Sequence, residues 1–344
     1  MKEPITYLVD RDGIGWITFD DSTAKANLFT LETLACFKKV LGSLFSESGL
    51  KAIVIQSAKE GIFIAGANLH WIEQLDSAMK AFEFAKDGQK FLNSIANFKV
   101  PVIAAIHGAC AGGGYEMALA CHYRLATDHL KTRIGLSEVA LGAMPAWGSC
   151  MRLPRLIGIR SALDHILKAQ LLPAAAAREQ GFVDEIVPVG KLRDRARQIA
   201  EKVAKNDPER VRECRATILA ADQTERRPGH RRAVAALSPR QSLRRSAGWR
   251  AAKAERPPYN SAFEKEKSGG AAICSEIRKT VQAEPRGRFL AGLKVIEVIE
   301  KGIELSIEEA LDLEARGFSE VIPTPECRSL IRAFFSARQV KTDG

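Results

Sequence analysis

From Val100 to Cys121 the sequence VPVIAAIHGACAGGGYEMALAC is apolar, glycine or alanine at nearly every position, with His107 and Glu116 as its only acid or base groups. A run with so little polarity cannot lie on a surface, and its glycines are too frequent for one continuous helix. It has to enter a core, turn and leave. The pattern predicts a buried strand over 100–108, a turn at Gly112-Gly113-Gly114, an apolar helix starting near Tyr115-Glu116-Met117, and a second strand over 123–127 (YRLAT). The same alternation begins upstream. Residues 5–19 read as two strands around an Asp12-Gly13 turn, and Thr30 caps a helix with Leu31, Leu34, Phe37, Val40, Leu41 and Leu44 on one face. AIVIQS (52–57) is a short buried strand, and a further helix fills about 73–96. Strands alternating with helices over short connections indicate an α/β core.

A chain of 344 residues has room for one enzyme-sized domain and something smaller. Residues 1–205 are expected to form the main domain and 206–285 an irregular linker rich in Arg, Pro, Gly and Ser. Residues 286–344 are expected to be a C-terminal helical segment, with a helix over 293–301 closed by Gly302, a capping box at Ser306 and Glu309, and Thr324 before a proline at the first helical position. The charge is concentrated in the linker. Residues 221–260 hold 10 Lys/Arg against 3 Asp/Glu, which is +7 of the formal +10. Such a stretch could hold RNA through phosphate contacts, but with only Trp249 and Tyr259 for stacking it reads as a solvated linker rather than a nucleic-acid module. The start, MKEPITYLVD, resembles neither a secretory signal nor a transit peptide, and no run approaches the roughly 18 apolar residues of a membrane span, so a cytoplasmic protein is expected. Seven scattered cysteines without a CxxC read as buried thiols, not as a disulfide framework or zinc site.

Two carboxylates stand alone in core-like surroundings. Glu116 is one, and Glu138 is the sole charge between Arg133 and Arg152. A buried ionised carboxylate without a partner is costly, so each glutamate either accepts hydrogen bonds, pairs with a distant Arg, or carries a raised pKa of the kind proton transfer near neutral pH requires. The glycine run before the Glu116 helix lets a substrate reach main-chain amides at a helix N-terminus, which suits an oxyanion; the small residues of Gly61 to Ala67 offer a second donor. Glycine runs also serve simply as turns.

FIAGANLHWI (63–72), PVIAAIHGACAGGGYEMALACHYRLAT (101–127) and IGLSEVALGAMPAWGSCMRLPRLIG (134–158) resemble the signature blocks of the crotonase (enoyl-CoA hydratase/isomerase) superfamily. KVIEVIEKGIELSIEEALDLEARGFSEV (294–321) and TPECRSLIRAFF (324–335) are similar to the segment that follows the hydratase half of the multifunctional fatty-acid oxidation α-subunits. The resemblance implies a spiral of ββα units with a C-terminal helical extension, binding a CoA thioester. Carried over by position, the Ala67 and Gly113 N–H groups form an oxyanion hole, and Glu116 and Glu138 are the catalytic acids around one water molecule. Lys25, Ala26, Ala65, Gly66, Gly112 and Trp147 bind substrate, Lys25, Ala26 and Ala65 where the family's backbone holds the CoA adenine.

The reaction implied is hydration of a trans-2-enoyl-CoA to a 3-hydroxyacyl-CoA in fatty-acid β-oxidation, by a lyase that needs no metal and no cofactor beyond the CoA of its substrate. The alternatives are Δ3,Δ2-enoyl-CoA isomerisation, which needs Glu138 but no second acid, and a non-catalytic RNA-binding scaffold. A homotrimer or a thiolase partner subunit is expected by the same resemblance. The sequence departs from the family pattern at Asn68, where an acid is usual, at two extra residues before Glu138 (TDHLKTRIG, 127–135), and at Pro145-Ala146-Trp147-Gly148-Ser149, which crowds the acyl pocket. No G-x-G-x-x-G follows a strand, so no dinucleotide-dependent dehydrogenase activity is expected. His70 and His107 read as rim or core groups, Trp71 as tunnel wall or packing, and Ile331, Phe334 and Phe335 as a stripe packed on the main domain.

Overall fold

The computed structural model describes residues 2–204, 261–283 and 289–342; the Arg-rich stretch at 221–260 and Cys214 lie outside the described residues. Two sheets divide the strands. The larger has the order β1 (Ile5–Val9), β2 (Ile14–Phe19), β3 (Ala52–Ser57), β5 (Val102–Ile106), β7 (Tyr123–Thr127), β10 (Glu185–Val187), parallel throughout except for the β1–β2 hairpin. The smaller has the order β4 (Ile62–Ile64), β6 (Ala109–Ala111), β8 (Arg133–Gly135), β9 (Leu172–Pro173). Three times in succession the chain places one strand in the large sheet and the next in the small sheet: β3 then β4, β5 then β6, β7 then β8. Each such pair is followed by helix, so the chain climbs as a spiral of ββα turns and brings the C-terminal ends of successive small strands to one place.

The helices follow from local chemistry. Helix α1 (Leu31–Ser46) starts at a reciprocal cap in which the Thr33 N–H donates to the Thr30 hydroxyl at 3.1 Å and the Thr30 N–H to the Thr33 hydroxyl at 2.8 Å. Its apolar face is the one expected except for Leu31, which is 68% exposed, while Thr33 in the same turn is buried. The helix expected over about 73–96 is α3 (Ala78–Ala96), which starts later than expected, where the Ser77 hydroxyl accepts from the Lys80 N–H; the short helix α2 (Leu69–Glu73) precedes it. Helix α4 (Gly113–Ala120) is buried along its whole length. Gly114 has to be glycine: a Cβ there would stand 2.1 Å from the Ile64 carbonyl oxygen, so its absence lets α4 press onto β4. Helices α5 (Ser149–Ile157), α6 (Ile159–Lys168), α7 (Ala174–Glu179) and α8 (Leu192–Ala204) complete the N-terminal part.

The expected irregular linker does not run to residue 285. Residues 261–267 and 270–283 are helices α9 (Ser261–Lys267) and α10 (Gly270–Ala283), because Ile273, Cys274, Ile277 and Val281 form an apolar stripe that packs on the core. After α11 (Phe289–Gly302), the Ser306 capping box opens α12 (Ile307–Val321), and Pro325 opens α13 (Pro325–Thr342) with the Thr324 hydroxyl accepting from the Cys327 N–H. These helices belong to the main core: Ala310, Leu311, Ala315 and Phe318 of α12 are buried in the same apolar cluster as Phe84, Phe91 and Leu92 of α3. Burial of a large apolar side chain contributes about 1.5–3 kcal/mol, so an extension burying several is firmly held. The extension also caps the core in trans: Glu266 of α9 accepts from the Ile159 and Arg160 amides that open α6. None of the six described cysteines forms a disulfide; five are buried and Cys36 is half-buried.

Candidate active site

Helix α4, the segments that follow strands β4 and β8, and the C-terminal helices line a cavity of about 420 Å³. Its polar end is lined by Ala65, Gly66, Ala67, Gly112 and Gly113 with Glu116 and Glu138, and its apolar end by Phe84, Met144, Trp147 and side chains of α12 and α13. The two main-chain segments meet there because of how their hydrogen bonds run. Residue 29 forms an isolated parallel bridge with Ala67: the Phe29 N–H donates to the Gly66 carbonyl and the Asn68 N–H to the Phe29 carbonyl, both at 2.9 Å. In this pattern the residue between, Ala67, turns its own N–H away from the ladder. Gly113 is the first residue of α4, so its N–H has no carbonyl four residues back inside the helix. Among the described residues neither N–H has an acceptor. A Cβ on Gly66 would lie 3.8 Å from the Gly113 nitrogen, which shows how closely the two donors' segments approach.

Glu116 occupies the first turn of α4 and is 4% exposed. Its Oε1 accepts from the Trp147 N–H at 2.8 Å. Burial pushes its pKa up, opposed by the Trp147 amide, Ser149 and the charge of Arg152. Glu138 opens a 3-10 turn (Glu138–Leu141) after β8, and its Oε2 is buried without a hydrogen-bond partner. Burial, and next the charge of Glu116, push its pKa up to about 8. The Gly112 backbone, at φ +51°, places its α-carbon so that a side chain there would touch the Glu138 carboxylate: a Cβ would be 3.0 Å from Oε1. The arrangement therefore offers two free amides, one carboxyl group able to hold a proton near neutral pH, and a second carboxyl close enough to influence it.

Of the ten residues expected at the site, the structure brings eight together on this cavity: Ala65, Gly66, Ala67, Gly112, Gly113, Glu116, Glu138 and Trp147. Lys25 and Ala26 are not among the residues lining it, and Lys25 is exposed. Trp147 is 2% exposed and wedged against Phe29 and Phe84, each with ring centroids at 5.4 Å. Trp71 packs on Phe84 outside the lining, His70 stacks on Phe335 at 4.1 Å, and His107 hydrogen-bonds Thr127. Ile331 and Phe334 line the cavity, so the α13 stripe covers the site besides packing on the core. Asn68, which replaces an acid, caps α2 by accepting from the His70 N–H at 2.9 Å. Glu138 lies on the cavity despite the extra residues expected before it.

One buried group escaped the sequence reading. Glu314 of α12 is fully buried, accepts from the Gly148 N–H at 2.5 Å and the Cys150 N–H at 2.9 Å, and thereby caps α5, whose N-cap Gly148 has no side chain to do so. Burial and the charge of Glu116 push its pKa up to about 8. The available signal was positional: Glu314 falls on the stripe Ala310, Leu311, Ala315, Phe318.

The sequence model of the enoyl-CoA hydratase/isomerase family matches residues 10–240. The chain belongs to that family. Among curated proteins this family member is 31% identical, over 335 residues and 97% of its length, to the fatty acid oxidation complex subunit alpha of Vibrio parahaemolyticus serotype O3:K6, of whose length it spans 41%. Among solved structures it is similar to the enoyl-CoA hydratase of Bacillus anthracis, with 31% identity and a TM-score of 0.58 over 62% of this chain and 82% of that one. It is also similar to DspI of Pseudomonas aeruginosa, with 27% identity and a TM-score of 0.59 over 73% and 97% of the two chains. The spiral of two sheets is thus a crotonase-type fold, carrying C-terminal helices. No helix among the described residues is long and apolar enough to cross a membrane.

Proposed function

We propose that the chain hydrates trans-2-enoyl-CoA thioesters to 3-hydroxyacyl-CoA. The observation that carries this reading is the convergence of two free main-chain donors, Ala67 N–H and Gly113 N–H, with two buried carboxyl groups on one cavity. In the proposed step the thioester oxygen accepts from both amides, water adds through its oxygen to C3, and Glu116 takes the proton that water releases. The C2=C3 electron pair moves toward C1 and the thioester oxygen becomes an enolate. Glu138, whose raised pKa lets it hold a proton near neutral pH, then delivers that proton to C2 as the carbonyl re-forms. A donor of this kind contributes about 3 kcal/mol to such a step. The route uses no metal, and its CoA arrives with the substrate.

Isomerisation of a Δ3-enoyl-CoA would need Glu138 and the donors but no second carboxyl; the hydrogen bond that fixes Glu116 toward the cavity favours hydration. Steady-state hydration of crotonyl-CoA by Glu116→Gln and Glu138→Gln separates the two. Both variants should lose hydration by 100-fold or more, on the order expected for loss of acid–base catalysis, with isomerisation retained in Glu116→Gln. Full hydration by Glu116→Gln would remove that residue from the mechanism. A place in fatty-acid β-oxidation, and assembly with further subunits, are supported by the name of the Vibrio relative, which is a subunit of a complex.

A further inference from the structure

Glu314 lies outside the cavity lining yet holds the same turn that holds Glu116. Residues 147–150 present three amides in a row of uses: Trp147 N–H donates to Glu116, Gly148 N–H and Cys150 N–H to Glu314. Gln89 of α3 ties the arrangement together, donating from Nε2 to the Ala146 carbonyl at 2.9 Å, to the Leu311 carbonyl at 2.8 Å and more weakly to Glu314 Oε1 at 3.4 Å. We propose that Glu314 is a positioning residue of this site: its carboxyl group fixes the 147–150 turn that orients Glu116, and once ionised its charge biases a proton onto the Glu116–Glu138 pair.

Burial and the charge of Glu116 let its carboxyl group keep a proton up to about pH 8, so its charge develops above neutral pH. Gly148, Cys150 and Gln89 all donate to its oxygens, and the two amide bonds oppose the rise without reversing it. The titratable or charged groups facing it are Glu116 from α4, Glu138 from the 3-10 turn, and Arg152 and the Cys150 thiol from α5. α3 faces it with the neutral Gln89; the Lys86–Asp312 pair between α3 and α12 is half exposed on the outer side. Like charges confined in a low-dielectric interior raise each other's proton affinity, and Glu314 contributes in this way at Glu138. The C-terminal extension would thus set the proton state of a site whose carboxylates lie nearly 200 residues away.

The role rests on the hydratase reading only for its kinetic consequence, so the test has an arm that does not. Carboxyl carbons of 13C-glutamate-labelled protein are titrated by NMR in the wild type and in Glu314→Gln, with Glu116→Gln and Glu138→Gln assigning the signals. The midpoint of Glu138 should fall by about one pH unit in Glu314→Gln, as loss of a nearby like charge dictates. Hydration kcat should fall about tenfold with KM within twofold, as for a small displacement of a catalytic group. A purely structural cap would lower the melting temperature and leave the midpoint in place, and that result overturns the proposal. Should Glu314→Gln fail to fold, the wild-type titration decides: Glu138 and Glu314 should each show a two-step curve with shared inflections, and two independent single-step curves overturn it. A wild type inactive on enoyl-CoA would refute hydration while leaving the titrations to decide this role.

Discussion

Replacing Gly112 with alanine probes the placement of Glu138 through the backbone rather than through the carboxyl group. Gly112 has φ +51° and ψ −128°, a region L residues rarely enter, so alanine costs about 1–3 kcal/mol of stability from the backbone alone. The new Cβ would also stand 3.0 Å from Glu138 Oε1, where ordinary contact begins at 3.4 Å, so the carboxylate has to retreat by about 0.4 Å. A misplacement of 1 Å can cost 100-fold in rate, so this one should lower kcat for crotonyl-CoA hydration by about tenfold. Gly190 is the control, since it has φ +88° and a Cβ there would meet nothing within 4 Å. Urea melts and steady-state kinetics on both variants separate strain from displacement. Gly112→Ala and Gly190→Ala should lose comparable stability, and only Gly112→Ala should lose turnover. If Gly112→Ala keeps kcat within twofold of wild type, Glu138 does not work from the position beside Gly112.

Gly88→Ala on α3 would set a Cβ 2.0 Å from Trp147 Nε1, so the indole has to move; a loss of about 1–3 kcal/mol in denaturant melts is expected, together with altered preference among short and long enoyl-CoA substrates. The pH dependence of stability follows from Glu138 and Glu314, both raised from 4.5 to about 8 in the folded protein. Between those values the native state binds more protons than the unfolded chain, so stability present at the acid end is lost as pH rises toward 8. Melting temperatures should therefore decline from about pH 5 to pH 8, and the decline should flatten in Glu314→Gln; a rise over that window would contradict the assigned burial. Breaking the buried Arg124–Asp184 pair, which meets at 2.7 Å, with Asp184→Ala should cost about 3–5 kcal/mol in urea melts, because it leaves the guanidinium without that carboxylate in the interior.

Much of the architecture was legible because the strands and caps carry their own chemistry. YRLAT is β7 over the residues expected, Thr30 and Ser306 cap as their sequences indicate, and the run from Val100, with Glu116 its only acid, becomes a strand and a buried helix as expected, with the short strand β6 added between them. Glu116 and Glu138 stood out by being solitary in apolar sequence. What escaped depended on partners far along the chain. Glu314 sits among Asp312 and Arg316, which form a surface ion pair, so LDLEAR looks like a solvated face until α12 is laid on α3. Helices α9 and α10 were hidden by the Arg- and Pro-dense sequence before them, although Ile273, Ile277 and Val281 keep helical spacing. Leu31 shows the converse error: at the first turn of a helix, position in the heptad does not guarantee contact with the core.

The proposed use of Ala67, Gly113, Glu116 and Glu138 together is tested most directly by isotope tracing of turnover. The purified chain is incubated with a trans-2-enoyl-CoA, once in 18O-labelled water and once in deuterated water, and the thioester product is analysed by mass spectrometry and NMR. The account predicts 3-hydroxyacyl-CoA with labelled oxygen at C3 and a single deuterium at C2. Recovery of unreacted enoyl-CoA with neither label incorporated would contradict it.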